Sequence, residues 1–357
     1  MFYTEEIRIE EAGDLLSKCD LSVPAGVDYT AGVFDDNGKL VATGSLKGDM
    51  IQGIAVDPDY QGEDLTGKVF THLVQLADRN SLYLFTKPGK VRQFEGLGMR
   101  HVATARPYAA LLEWGAESLK TYQQQIIQIS ANDDVTFDAE NCMISALVMN
   151  CNPFTKGHRY LAEKASRESD RVFLFVVEEN ASLFSFADRI EMVKMGTADL
   201  ENVTVIPGGR YIISNMTFPS YFTKEENVAN AHAAMDAEIF ASCIAPVLNV
   251  NRRYVGTEPF SPVTCIYNEE LKKRLPKKNI EVVEVPRIEI EGSAVSASRV
   301  RNLVLQLLSK DESQMSADEI CMQLSNLLPL TTLEYIMSPQ MEAKLCRALN
   351  YGEERWK

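Results

Sequence analysis

From Met143 onward, short apolar runs alternate with amphipathic segments, and this rhythm limits the possible folds more than any other feature of the chain. The apolar runs have the length of strands and stand at residues 144–149, 171–177 and 203–206. The segments between them carry apolar side chains at helical spacing, at residues 158–169 and 186–200. Alternation of this kind is typical of βαβ units, in which helices cover both faces of a parallel sheet. We therefore predict a Rossmann-like α/β fold for this half of the chain.

The pattern continues towards the C-terminus. A late strand is expected at residues 282–285, and residues 297–309 have the spacing of another helix. Two more segments with helical spacing, 318–328 and 338–349, follow at the end of the chain. We expect them to form a helical C-terminal extension of the same domain.

The first part of the chain has the pattern of a small α+β domain. Strands are expected at 29–34 and 40–44, joined by an Asp-Asp-Asn-Gly sequence that is a strong hairpin turn. Further strands at 51–56 and 81–85 flank a helix at 65–80. A chain of 357 residues exceeds the size of most single cores, and residues 130–141 are polar without a periodic apolar pattern. We therefore predict two domains, at residues 1–130 and 142–357.

Composition excludes several classes of function. The formal net charge of −14 disfavours a nucleic-acid-binding surface. No apolar run approaches the roughly 20 residues that span a bilayer, and the N-terminus has no secretory signal pattern, so we expect a cytoplasmic protein without a membrane partner. The seven cysteines are scattered and form no Cys-x-x-Cys pair, which argues against a zinc site, and no metal ligands are predicted.

The junction between the first strand and helix of the second domain reads Asn-Pro-Phe-Thr-Lys-Gly-His. Open α/β sheets bind ligands at the carboxyl ends of their strands, where free amides and the helix dipole favour an anion. Gly157 would let a nucleotide approach the backbone, and His158 could donate a hydrogen bond to a phosphate oxygen. An isolated Gly-His pair is more often an ordinary helix start, but Thr-x-Gly-His at this junction favours nucleotide binding. The predicted binding residues are Asn152, Pro153, Phe154, Thr155, Lys156 and Gly157, and His158 is predicted to be catalytic.

A second motif, Val-Ser-Ala-Ser-Arg-Val-Arg, ends at Arg301. Ser296 and Ser298 could cap a helix, or they could present hydroxyl and amide groups to phosphates. Arg301, one turn later, would supply a charged fork for the β- and γ-phosphates. Together with the first motif, the phosphate interpretation is favoured, with Ser296 and Ser298 in binding and Arg301 in catalysis.

Four residues are secondary candidates. Gly256 follows an apolar strand and could let the adenine or ribose approach the backbone, although a plain turn explains it equally well. Lys156 and Lys224 could neutralise phosphate charge, but a lone lysine is more often solvated surface. Arg189 is a possible phosphate contact that could equally form a surface ion pair.

The two motifs resemble those of the nucleotidyltransferase superfamily, His/Thr-x-Gly-His and Ile-Ser-Ser-x-x-Ile-Arg, with Ala297 standing where the second pattern often has serine. Over nearly its whole length the chain is more closely similar to the citrate lyase ligase family. The matching segments are 152–158, Phe-Ser-Phe-Ala-Asp-Arg at 184–189, Tyr-Ile-Ile-Ser at 211–214, Thr-Phe-Pro-Ser-Tyr-Phe at 217–222 and Val-Gly-Thr-Glu-Pro at 255–259. This resemblance implies ATP-dependent acetylation of the prosthetic-group thiol on the lyase's acyl-carrier subunit, with release of AMP and pyrophosphate.

The N-terminal domain resembles the GNAT acetyltransferase fold. The resemblance rests on Ile-Ala-Val-Asp-Pro-Asp-Tyr-Gln-Gly at 54–62 and Phe-Glu-Gly-Leu-Gly-Met at 94–99. In that family a glycine-rich loop offers backbone amides to the pyrophosphate of acyl-CoA. Gln61 matches the loop, but Asp64 and Thr66 replace a glycine and a small residue, and the charge of Asp64 would repel a pyrophosphate. We expect a retained fold that recognises a ligand or partner rather than an acetyltransferase.

These expectations combine into a two-stage reaction. Acetate attacks the α-phosphorus of ATP to give acetyl-AMP, and the carrier thiol then takes the acetyl group. Mg²⁺ would bridge the phosphates and needs no dedicated protein cage. Two alternatives stay open: an adenylyltransferase that makes a dinucleotide-type cofactor, and a nucleotide-binding regulatory module.

Overall fold

The structure is a computed structural model. It describes residues 1–77, 80–131, 142–179, 183–213, 218–222, 227–257, 262–290, 293–309 and 315–350. The chain forms two compact units, of which the first contains Met1–Gln125 and Asn215–Ile244 and the second contains Ile126–Ser214 and Ala245–Lys357. The second half of the chain therefore contributes a segment to the first unit, whereas the sequence pattern placed all of residues 142–357 in one domain. Residues 132–141, in the predicted boundary, lie outside the described residues.

The first unit is built on a seven-stranded sheet. Its strands are β1 (Tyr3–Glu6), β2 (Tyr29–Phe34), β3 (Leu40–Lys47), β4 (Met50–Val56), β5 (Ser81–Thr86), β6 (Arg100–Ala105) and β7 (Ala109–Gly115). Their spatial order is β1-β2-β3-β4-β5-β7-β6, and neighbouring strands are antiparallel except β4 and β5. The parallel pair joins Met50 to Tyr83 and Ile51 to Leu84, and the strands then diverge around a cleft. This arrangement confirms the predicted GNAT-like α+β domain.

Among the described residues up to Ala131, four α-helices alternate with these strands along the chain. They are α1 (Gly13–Lys18), α2 (Leu65–Leu76), α3 (Val91–Glu95) and α4 (Leu119–Ala131). Helix α2 buries Val69 and Leu73 against the sheet, as its helical spacing predicts. The helix can lie close to strand β3 because Gly44 has no side chain. A Cβ at Gly44 would lie only 2.5 Å from Cγ1 of Val69. The helix ends at Leu76, four residues earlier than expected, because Ala77 is extended.

The later segment of the first unit, Asn215–Ile244, contains helix α7 (Val228–Ile239) and the π-helical turn Phe240–Ile244. Phe218, which precedes α7, packs edge-on against both Phe85 and His232. Cys243 donates a weak hydrogen bond to the carbonyl of Val102 in β6 (3.7 Å). Among the described residues, Val228–Leu248 has the length and apolar composition of a membrane-crossing helix, but 78% of its most apolar window is buried. A core helix has this profile.

The second unit contains a five-stranded parallel sheet. Its strands are β8 (Ile144–Met149), β9 (Arg171–Val176), β10 (Val203–Pro207), β11 (Arg252–Gly256) and β12 (Glu281–Val285), in the order β10-β9-β8-β11-β12. The intervening helices are α5 (Lys156–Arg167), α6 (Phe186–Thr197) and α8 (Pro262–Arg274). The Rossmann-like prediction is confirmed. Strand order reverses between β8 and β11, which is the switch point where such sheets bind ligands.

The remaining elements complete this unit. A small hairpin, β13 (Glu289–Ile290) and β14 (Ser293–Ala294), leads into α9 (Ala297–Ser309), and three helices follow: α10 (Ala317–Leu327), α11 (Leu330–Ile336) and α12 (Pro339–Asn350). Helices α10 to α12 bury apolar side chains in the core that also contains β8 and β9. Asp188 of α6 accepts a 3.1 Å hydrogen bond from Tyr335 and pairs with Lys344. The predicted helical C-terminal extension is therefore an integral part of this unit.

Candidate active site

The loop after β8 reaches the switch point and starts α5 with a side-chain cap. Thr155 is the N-cap residue, and its hydroxyl oxygen accepts the backbone N–H of His158 at 3.4 Å. This cap satisfies one of the amides that a helix start leaves unpaired. The predicted helix at 158–169 therefore starts two residues earlier, at Lys156, and His158 lies in its first turn.

The ring of His158 is fixed by the same threonine. Its Nδ1 lies 3.1 Å from the backbone nitrogen of Thr155 and 3.0 Å from the Thr155 hydroxyl. Because a backbone N–H can only donate, Nδ1 must accept, and the proton of the neutral imidazole is assigned to Nε2. Burial lowers the pKa of His158 from 6.5 to about 4, and the positive charge of Arg287 acts in the same direction. At neutral pH the residue is therefore an uncharged donor through Nε2–H.

Phe154 supports this imidazole. Its ring is fully buried and stacks on the His158 ring with the centroids 6.0 Å apart. A Cβ at Gly196 of α6 would lie 2.5 Å from Cε1 of Phe154, so the glycine makes room for the aromatic ring. The side chains of Phe154 and Pro153 are both buried. The ring of Phe154 therefore supports His158, and the predicted nucleotide contact of Phe154 stays a prediction for its backbone.

Arg301 brings the two sequence motifs together. Its Nη1 donates to the backbone carbonyl of Asn152 at 2.8 Å, and its Nη2 donates to the hydroxyl of Ser298 at 3.0 Å. The side-chain oxygen of the buried Asn152 in turn lies 3.4 Å from the backbone N–H of Phe184, which donates to it. The phosphate-binding candidates of residues 152–158 and 296–301 thus lie side by side, although about 140 residues separate them in the chain.

Glu179, just after β9, is a carboxylate at this edge of the sheet that the sequence patterns did not indicate. It is 9% exposed, and burial raises its pKa, whereas the charges of Arg189 and Arg301 act to lower it. A buried carboxylate that interacts with Arg301 balances the charge of that guanidinium. Its position at the end of a buried strand is the signal from which it could have been predicted.

Arg189 has a structural position, which corrects the prediction of a phosphate contact. The residue is 0% exposed. Its Nη1 donates to the carbonyl oxygens of Asn150 (2.6 Å) and Val177 (2.9 Å), and its Nη2 donates to that of Glu179 (2.7 Å). These bonds tie the carboxyl ends of β8 and β9 together and leave no part of the side chain accessible to a ligand. The alternative of a surface ion pair is wrong for the same reason.

Of the two lysine candidates, the structure describes only Lys156. Lys156 donates through Nζ to the backbone carbonyl of Ser325 in α10 at 2.9 Å, so its ammonium points to the C-terminal helices. Lys224 lies outside the described residues. Ser296 begins the turn into α9, where its carbonyl accepts the backbone N–H of Val300 at 3.2 Å.

The two glycine candidates lie on either side of the switch point. Among the described residues, a Cβ added to Gly256 meets no atom within 4 Å. A Cβ at Gly157 makes ordinary contacts, the closest at 3.5 Å to the Thr155 hydroxyl. Neither glycine has a positive φ, so neither packing nor backbone conformation requires it. Open space for a ligand is a remaining physical reason for glycine at position 256, whereas the Cβ position of Gly157 is already in contact with its neighbours.

The first unit contains a cleft of its own, lined by residues of β4, β5 and α2. It has a volume of about 820 Å³ between β4, β5 and the start of α2. Asp64, in the left-handed conformation with φ of 53°, places Oδ1 only 2.6 Å from the Cβ position of Gly67. The carboxylate therefore lies next to the first turn of α2, and its negative charge disfavours an anion at this helix start.

Known proteins match the chain along most of its length. A family model for the C-terminal domain of citrate lyase ligase matches residues 144–336. The citrate (pro-3S)-lyase ligase of Klebsiella pneumoniae is 42% identical over 75% of this chain and 78% of its own. The ligase of the same name from Escherichia coli is 36% identical over 94% and 92%, and that of Haemophilus influenzae is 34% identical over 93% and 96%.

The family match covers more than half of the chain, and it includes both motifs that Arg301 joins. The relatives extend the similarity through the first unit as well. The chain therefore belongs to the citrate lyase ligase family, and it is a ligase.

Proposed function

We propose that this protein activates acetate as acetyl-AMP and transfers the acetyl group to the prosthetic-group thiol of the citrate lyase acyl-carrier subunit. The observation that carries the proposal is the contact between Arg301 and Asn152, which joins the two candidate phosphate-binding motifs, and the first of these motifs also contains His158. The relatives named as citrate lyase ligases support the choice of acid and acceptor.

In the first stage, a carboxylate oxygen of acetate attacks the α-phosphorus of ATP, and the bond to the pyrophosphate oxygen breaks. Negative charge moves to the oxygens around the phosphorus and to the leaving group as the reaction proceeds. His158 would donate from Nε2 to a phosphate oxygen without carrying a charge of its own, and Arg301 would hold the pyrophosphate. The protein therefore acts through position and charge, and no nucleophilic side chain is needed.

In the second stage, the thiolate of the carrier attacks the acetyl carbonyl, the new carbon–sulfur bond forms, and AMP leaves. An acyl adenylate reacts with water if it is released, so the acceptor must be delivered to the bound intermediate. The role of this chain is then to hold AMP by the same contacts while the carrier's thiol approaches.

Magnesium would enter with ATP. Among the described residues no group of three or more His, Cys, Asp or Glu side chains could hold a metal ion. A magnesium ion bound with ATP usually takes most of its ligands from phosphate and water, and Glu179 is a carboxylate close to Arg301 at this edge of the sheet. When bound, the ion would supply charge neutralisation between the phosphates.

The test is a product analysis. The purified protein is incubated with ATP, magnesium, acetate and the deacetylated acyl-carrier subunit, and the products are identified by mass. We expect AMP, pyrophosphate and an acetyl increment on the prosthetic group of the carrier. A dinucleotide formed from ATP and a nucleotide phosphate, with no acetylated carrier, would replace this proposal with cofactor synthesis.

A further inference from the structure

Glu179 lies beside the loop that contains the first motif. Its backbone carbonyl accepts a hydrogen bond from Nη2 of Arg189 (2.7 Å), while Nη1 of the same guanidinium donates to the carbonyl of Asn150 (2.6 Å). Two residues after Asn150, the carbonyl of Asn152 accepts the hydrogen bond from Arg301 (2.8 Å). The loops after β8 and β9 are thus held next to each other, and Glu179 is fixed at the candidate site through its backbone.

The carboxylate of Glu179 is nearly buried, since the residue is only 9% exposed. It lies within electrostatic range of Arg301, because the charge of each residue acts on the pKa of the other. None of the residues that the structure describes gives this carboxylate a hydrogen bond or a direct ion pair. Arg189, the other nearby cation, donates from both terminal nitrogens to backbone carbonyls instead. A buried ionised group without a partner is costly, and an ion or a ligand commonly completes such a group.

The charge of the expected ligand indicates which partner completes this carboxylate. A polyphosphate that binds to Arg301 brings several negative charges close to Glu179, and like charges at short range repel each other. A divalent cation between the phosphates and the carboxylate replaces this repulsion with attraction on both sides. Magnesium suits the position, because it binds to one or two carboxylates and takes its other ligands from phosphate and water. A neutral donor such as a ribose hydroxyl could bond to the carboxylate, but it would leave the repulsion in place.

We propose that the carboxylate of Glu179 binds the magnesium ion that accompanies ATP. The inference rests on the proposed function, because it assumes that the two motifs receive the phosphates of ATP. Arg301 and Glu179 then hold the triphosphate in different ways, the arginine through direct hydrogen bonds and the glutamate through the cation. Nucleotide binding should therefore depend on magnesium, and this dependence should arise from Glu179.

Isothermal titration calorimetry of the full-length protein with ATP, once with excess magnesium and once with EDTA, tests the inference. The gain in ATP affinity on addition of magnesium is compared between the wild type and Glu179→Gln. We expect this gain to be smaller in Glu179→Gln by roughly 5- to 150-fold, the usual range for the coupling of two ligands. Metal-free ATP should bind to the variant at least as tightly as to the wild type, because the repelling charge is gone. The affinity of magnesium for free ATP is the same in all titrations and cancels from the comparison.

Two further variants make the test specific. Glu178→Gln is the matched control, since Glu178 is an exposed carboxylate at the adjacent position and accepts the backbone N–H of Gly209. Its gain from magnesium should stay within about twofold of the wild type, as for most surface substitutions. Glu179→Asp keeps a carboxylate at position 179, so its gain should exceed that of Glu179→Gln. Thermal melting of each variant confirms that the proteins compared are folded.

The outcomes separate the two proposals. If the wild type binds no ATP with or without magnesium, the proposed function falls and this inference falls with it. If the wild type binds ATP and Glu179→Gln gains as much from magnesium as the wild type does, Glu179 is not the magnesium ligand, while the proposed function stands. Equal weakening of metal-free and magnesium-bound ATP in Glu179→Gln would indicate a hydrogen bond to the nucleotide, and it would overturn the inference in the same way.

Discussion

The guanidinium of Arg301 donates a 2.8 Å hydrogen bond to the backbone carbonyl of Asn152, and this bond joins two segments of the chain that lie far apart in sequence. Because the acceptor is a backbone carbonyl, the position of the arginine depends on the path of the loop and not on the side chain at position 152. The other nitrogen of the fork donates to Ser298 within the same helix. Arg301 is thus positioned by its surroundings before any ligand arrives, which is the condition for efficient charge stabilisation.

The first prediction concerns the shape of this cation. Arg301→Lys should lower kcat/KM for ATP by roughly 10- to 100-fold, because an ammonium cannot bridge Asn152 and Ser298 and also donate a parallel pair to a phosphate. ATP–pyrophosphate exchange measures the effect. Arg299→Lys is the control, since Arg299 lies on the same helix but donates to Gln323 instead. Equal kinetics for Arg301→Lys and the wild type would remove Arg301 from the reaction.

The second prediction separates the two nitrogens of His158. In His158→Asn, the amide oxygen stands near the position of Nδ1 and can still accept the Thr155 N–H, but the Nε2–H donor is lost. We expect kcat to fall by about 10²- to 10³-fold, the scale for losing one such donor, with little change in melting temperature. The exposed His101 of the first unit provides the control His101→Asn, which should keep normal turnover. Near-normal turnover by His158→Asn would contradict the proposed role.

The third prediction is the pH dependence of stability that His158 causes. Its folded-state pKa of about 4 lies below the ordinary 6.5, so between these values the unfolded chain takes up a proton that the folded chain does not. The free energy of unfolding should therefore fall as the pH drops from 6.5 to 4, and this contribution should be absent in His158→Asn. Urea unfolding followed by circular dichroism at several pH values measures the difference between the two proteins. A difference that does not change with pH would mean that His158 titrates normally in the folded state.

The fourth prediction assigns Arg189 to folding. Arg189→Met removes the donors for three backbone carbonyls at the ends of β8 and β9, and we expect a loss of roughly 3–5 kcal/mol in the free energy of unfolding. Arg167→Met, at a position whose side chain is 77% exposed, should cost less than about 1 kcal/mol. If Arg189→Met is as stable as the wild type but binds ATP poorly, the result would support the phosphate contact that the sequence suggested for Arg189.

Much of the second unit could be predicted because its strands and helices have strong, regular apolar periods. The position of His158 at the carboxyl end of a strand follows from that order, whereas the pairing of β8 with β11 is known only from the structure. The segment that ends at Ile244 could not be assigned to the first unit, because the periodicity of a helix shows which face is buried but not which sheet covers it. For the same reason Arg189 looked like a surface residue. Its helix has a mixed pattern, and only the packed structure reveals the carbonyls that surround it.

Gly196 is another residue whose role no local pattern could indicate, and it leads to the fifth prediction. A Cβ there would lie 2.5 Å from Cε1 of Phe154, and the Phe154 ring stacks on His158. Gly196→Ala should therefore displace the ring and cost about 1–3 kcal/mol of stability, the usual range for overpacking, and it should lower kcat because His158 moves with its support.

A compensating substitution makes this prediction specific. Phe154→Leu removes the ring atoms nearest to the new methyl group, so the double variant should recover stability relative to Gly196→Ala alone, by a coupling that a double-mutant cycle measures. Gly89→Ala is the control, because a Cβ there meets no described atom within 4 Å and φ is not positive. Strictly additive effects of the two substitutions would show that the methyl group and the ring do not compete for the same space. In that case the loss of activity in Gly196→Ala could not be attributed to the support of His158.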